Sequence, residues 1–74
     1  MVPPKTDRKW QRFLDHISTV EVSNLSTRML VNRLKLKIAF EPTAAVKAAA
    51  LDMAHDFFCK NESAVADDIK RIFG

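Results

Sequence analysis

The only glycine in this chain of 74 residues is Gly74, and that removes most sheet-rich folds. Tight hairpins turn through positive φ, which Gly, Asn-Gly or Asp-Gly reach at little cost. None of these occurs before the last residue. The breaks in the hydrophobic pattern fall instead at Ser, Thr, Asn and Pro, residues suited to helix junctions. The expected fold is all-α: one small four-helix bundle-like domain over 1–74, with residues 1–5 disordered. One short strand is allowed in 18–23 or 34–40.

The first helix is expected from Asp7 to Ile17, N-capped by Thr6. At about 100° per residue, Trp10, Phe13, Leu14 and Ile17 form one apolar stripe. Residues 18–24 are β-branched and polar, and read as a linker or a strand through Val20 and Val22. Glu41-Pro42-Thr43 ends the next segment, because a residue before proline is pushed out of the helical region. The longest helix then runs to about Lys60. Val46, Ala50, Met53 and Phe57 make the centre of its apolar arc, flanked by Ala49, Leu51, Ala54 and Phe58. The last helix, Ala64 to Phe73, buries Val65, Ile69, Ile72 and Phe73, with Asp67 and Arg71 placed to pair.

Residues 25–40 have two readings. As a helix capped by Ser23 or Asn24, they put Leu30, Leu34 and Ile38 on one face and Arg28, Asn32 and Lys35 on another. Met29, Leu36 and Phe40 then form a second apolar stripe, which a helix sandwiched between neighbours would cover. From Leu34 onward, however, apolar residues also alternate with Lys35, Lys37 and Ala39, which is the period of a strand. Helix throughout is the preferred reading. Helix to Arg33 followed by a short strand is the alternative.

Composition narrows the function. With 47% hydrophobic and 28% charged residues, a packed globule is expected rather than disorder. Cys59 is the only cysteine, so no internal disulfide forms. The apolar runs are too short to cross a bilayer. The first residues lack a signal-peptide pattern, so the expected address is intracellular, cytoplasmic or nuclear, without a membrane partner. The net charge of +3 is unevenly spread. Residues 1–40 carry eight Lys/Arg against three acids, and residues 41–74 carry four against six. An anionic partner for the basic half is one consequence; attraction between the two halves is the other.

Few residues suggest chemistry. Asp52, His55, Asp56 and Cys59 share one face of the long helix at spacings of three and four. They are metal-ligand types, but no second segment offers the rest of a closed site. His55 and Cys59 lack the third group that orients a nucleophile's base. No phosphate-binding glycine loop exists. Neither an enzyme, a metal nor a cofactor is expected. Val20-Glu21-Val22 followed by two helices resembles the ribbon-helix-helix repressors. The outward residues of that ribbon, Thr19, Glu21 and Ser23, offer no basic base-reader, and a helix precedes it. The Glu41-Pro42 junction also lacks the family's glycine, and no site residue is carried over.

The basic residues are what remains. Arg28, Arg33, Lys35 and Lys37 lie within ten positions, and with Asn32 they form the candidate binding surface. Lys5, Arg8, Lys9 and Arg12 form a second basic group. The leading expectation is a non-enzymatic interaction module holding a partner protein or a second copy of itself. The competing expectation is a small nucleic-acid-binding regulator, since Arg and Asn serve both phosphate contact and base reading.

Overall fold

Three of the four helices begin at a short polar side chain that takes the orphan N–H groups of the first turn. Asp7 Oδ1 accepts from the Lys9 N–H at 2.9 Å and caps α1, Arg8–Asp15. Asn24 Oδ1 accepts from Ser26 at 2.9 Å and caps α2, Leu25–Phe40. Thr43 Oγ1 accepts from Val46 at 3.2 Å and caps α3, Ala44–Lys60. The fourth helix, α4, spans Ala66–Phe73 and has no side-chain cap. Acids in its first turn, Asp67 and Asp68, meet the positive end of its dipole instead. The computed structural model describes all of residues 1–74 and contains no strand.

The first cap differs from the one expected. Asp7 takes the role assigned to Thr6, because a turn closed by the Asp7 N–H on the Pro4 carbonyl sets Asp7 at the helix entrance. The helix also stops at Asp15; Ile17 stays in the apolar stripe but sits in a single 3-10 turn, Ile17–Thr19. Residues 20–23 pair with no strand, so the Val20–Val22 ribbon is absent. Residues 2 and 3 make two hydrogen bonds to the rest of the domain. The Trp10 indole Nε1–H donates to the Pro3 carbonyl at 2.9 Å, and the Val2 N–H donates to Glu62. A buried indole needs an acceptor, and the N-terminal segment supplies it.

Segment 34–40 is helix. Its alternation comes from two stripes on one helix, since residues two apart lie about 200° apart around the axis. Leu34 and Ile38 face the core while Leu36 and Phe40 point away from it.

The core is an aromatic cluster. Trp10 lies 4.6 Å from Phe73, 5.9 Å from Phe13 and 6.0 Å from Phe58, measured between ring centres. Leu14, Ile17, Leu30, Val31, Leu34, Val65 and Ile69 close around it. Helix α3 reaches this cluster along Ala50, Ala54 and Phe58, all fully buried. The expected centre at Met53 and Phe57 is displaced; both are only partly buried against the core. Two alanines four residues apart let α3 approach closely, and Phe58, one further turn along, fills the space beside Trp10. That geometry rotates the helix away from the larger side chains.

Candidate functional site

Helix α2 is packed on one side only. Its core side is Thr27, Leu30, Val31 and Leu34, set against α3 and the 3-10 turn. Roughly opposite, four large apolar side chains stand in water: Leu25 is 67% exposed, Met29 59%, Leu36 74% and Phe40 92%. The expectation that neighbours sandwich this second stripe is therefore corrected. The 74-residue chain forms four helices, and no part of it lies over the outer side of α2.

The stripe has heptad spacing. With Leu25 and Asn32 at d positions and Met29 and Leu36 at a positions, Arg28 and Lys35 occupy g, while Arg33 and Phe40 occupy e. The buried residues Thr27 and Leu34 then fall at f, opposite the seam. Leu25–Phe40 spans about 22 Å at 1.5 Å per residue.

The five residues expected to bind are thus distributed around an apolar line. Asn32 lies within it. Arg28 and Lys35 flank one side and Arg33 the other, and Lys37 lies beyond Arg33. Arg28, Asn32, Arg33 and Lys37 are exposed and Lys35 is half-buried. None of the four cations is in an ion pair; the pairs present join Lys5 to Asp52, Lys47 to Asp15, Lys60 to Asp56 and the N-terminus to Glu62. The acidic second half of the chain does not neutralise this cluster by direct contact.

Two shallow grooves adjoin the α2 flank. One, of about 460 Å³, runs beside Arg28, Asn32 and Lys35 and includes Arg71 of α4. The next, also about 460 Å³, places Lys9, Arg12 and His16 of the α1 end around the edge of Phe13 and again includes Arg71. Arg71 and Glu21 line both. Part of the N-terminal basic group and part of the α2 group therefore meet on one side of the molecule, with Glu21 the acid between them. Arg71 does not pair with Asp67 as expected.

The other candidate chemistry is dispersed. Cys59 Sγ lies 3.6 Å from His55 Nε2, and the His55 ring packs against Trp10 at 5.6 Å between centres. Asp52 and Asp56 are held by Lys5 and Lys60, and no three metal-ligating side chains converge. No helix is long and apolar enough to cross a membrane.

One buried charge was not anticipated. Asp68, 1% exposed, accepts from the backbone N–H groups of Ser23 and Asn24 and from the Ser23 hydroxyl. Burial pushes its carboxyl up, but these hydrogen bonds, with a further pull from the nearby Thr27 hydroxyl, outweigh burial and hold it below the ordinary value. Thr27 Oγ1 itself is buried without a hydrogen-bond partner of good geometry. A signal for it existed in Ser23, left over once Asn24 caps α2.

No protein-family model, curated protein or solved structure matches this chain.

Proposed function

We propose that this chain is a non-enzymatic protein-interaction module whose contact face is the outer side of α2. The observation that supports this reading is the line Leu25, Met29, Leu36 and Phe40, exposed together on a helix whose opposite side is fixed in the core. Single exposed apolar residues are ordinary, whereas several large ones on one face of a helix mark an interaction surface. The helix is already folded and anchored, so binding loses little conformational entropy on this side. The flanking Arg28, Arg33 and Lys35 are free of ion pairs and can rim such a contact.

A displayed library of helical peptides tests the reading. Selection against the wild-type chain is followed by counter-selection against the Leu36→Ser/Phe40→Ser double variant. Binders that lose the double variant support α2 as the contact face. Binders indifferent to it place the contact elsewhere and overturn the reading.

A second reading, nucleic-acid binding, rests on the two adjoining grooves in which Lys9, Arg12, Arg28, Lys35 and Arg71 carry no ion pair. Glu21 in both grooves counts against it. A gel shift titrated with salt separates the two, because phosphate neutralisation releases counterions and gives a steep salt slope. Binding that strengthens steeply with falling salt and is lost in Lys9→Gln/Arg12→Gln/Arg71→Gln favours nucleic acid.

A further inference from the structure

We infer that the partner of the α2 seam is an acidic amphipathic helix of a different chain, rather than a second copy of this one; the inference rests on α2 being the contact face. In heptad packing, a and d residues interlock while e and g residues choose the partner by charge. Here the seam is Leu25, Met29, Asn32 and Leu36, and the charged flanking positions are Arg28, Lys35 and Arg33. All three are basic. No carboxylate of this chain bridges any of them.

The sign of that flank decides between occupants. Two copies of α2 laid parallel face Arg28 to Arg33 across both edges of the contact, and laid antiparallel face Arg28 to Lys35 along one edge; like charges there oppose association. A helix with Glu or Asp at its own e and g positions meets opposite charge on both edges. A nucleic acid satisfies the charges but leaves Leu25, Met29, Leu36 and Phe40 in water. An anionic bilayer accepts both groups and is the remaining competitor, yet Asn32 interrupts the apolar line at its midpoint. In a helix pair such a residue fixes register by facing a polar partner; at a bilayer it gains nothing. The seam covers about two heptads, which is short for two free helices. One of the two is already held in helical form by the core, so only the partner has to be ordered.

The experiment uses the full chain and two synthetic helices with identical Leu a/d residues, one carrying Glu at e and g and the other Lys, each with a central Asn. Binding is followed by fluorescence anisotropy at low and high salt. The Glu helix is expected to bind at least about tenfold more tightly than the Lys helix, the size given by three exposed charge pairs together. That preference shrinks in high salt and in Arg28→Gln/Arg33→Gln/Lys35→Gln, while Leu36→Ser/Phe40→Ser abolishes binding of both helices. Circular dichroism of each variant, unchanged from wild type, shows that the fold is intact.

Equal binding of the two helices overturns the charge rule and leaves α2 standing as a contact face. Binding of the Glu helix that survives Leu36→Ser/Phe40→Ser overturns the inference and the contact face together. Failure of the Glu helix to bind overturns the inference, and the library selection then decides the fate of the face separately. A dimer in light scattering that dissociates in Leu36→Ser/Phe40→Ser identifies a second copy as the occupant and overturns it as well. So does binding to phosphatidylserine vesicles that the same double variant abolishes.

Discussion

One oxygen of the Asp68 carboxylate holds Ser23 twice, at 2.8 Å from its backbone N–H and 3.0 Å from its hydroxyl. The other oxygen takes the Asn24 N–H at 3.0 Å. Asn24 is the residue that caps α2, so the first turn of α4 is fastened to the start of the helix that carries the exposed seam. The contact joins residues more than forty positions apart in sequence and orients α2 relative to the core.

Removing that carboxylate takes the acceptor from three part-buried donors. Asp68→Ala is expected to destabilise the domain by about 2–4 kcal/mol, since three charge-assisted hydrogen bonds to part-buried donors are lost together. Asp68→Asn keeps one acceptor and should recover part of the loss. Urea unfolding followed by tryptophan fluorescence reads both, because Trp10 lies in the core.

The same carboxylate makes stability depend on pH. Its folded value lies below the 3.8 of an unperturbed group, so its contribution is fully present above the unfolded value. It is lost as pH falls through the lowered folded value, where the native state too takes up the proton. The urea midpoint of the wild type should therefore fall on acidification below about pH 4. It should fall less in Asp68→Asn, which has no proton to gain there. Parallel acid profiles for the two would contradict this role.

Adjacent phenylalanines on α3 should respond very differently. Phe58 is fully buried beside Trp10 and Phe73, whereas Phe57 is only partly covered. Phe58→Ala is expected to lose about 3–5 kcal/mol, the range for a large-to-small change in a packed core. For a domain of this size that approaches its whole stability. Phe57→Ala should lose much less. The reverse order in chemical denaturation would mean that α3 is rotated from the orientation described.

The outer side of α2 should be dispensable for folding. Leu36→Ser/Phe40→Ser should shift stability by no more than about 0.5 kcal/mol per position, as exposed substitutions do. Replacing Arg28, Arg33, Lys35 and Lys37 together by Gln should leave the melting temperature nearly unchanged, since exposed charges contribute about 0–1 kcal/mol each even when paired. Early melting of the charge variant would show that the cluster clamps the fold internally.

The bundle was legible in the sequence because its strongest signals are local. Single apolar stripes define α1 and α4, Pro42 and Thr43 mark the α2–α3 junction, and the want of early glycine disfavours hairpins. The rotation of α3 was not legible. Its arc contains Met53 and Phe57 as well as Ala50, Ala54 and Phe58, and hydrophobicity alone favours the larger residues. Close approach through the alanines reverses that choice. On α2 the basic residues and the second apolar stripe were both visible. Which stripe stays uncovered depends on how many neighbours the rest of the chain supplies, and sequence period carries no information about that. Asp68, its link to Ser23 and the convergence of Arg71 on the α2 flank are tertiary facts between residues far apart in the chain.

The most direct measurement of the central claim is a map of backbone amide chemical shifts during titration with a peptide selected against the wild-type chain. The perturbed amides are expected to run along α2, strongest around Met29, Asn32, Arg33, Leu36 and Phe40, with α4 and the α1 end little changed. A map centred on Lys9, Arg12 and Arg71, with the outer side of α2 undisturbed, would contradict it.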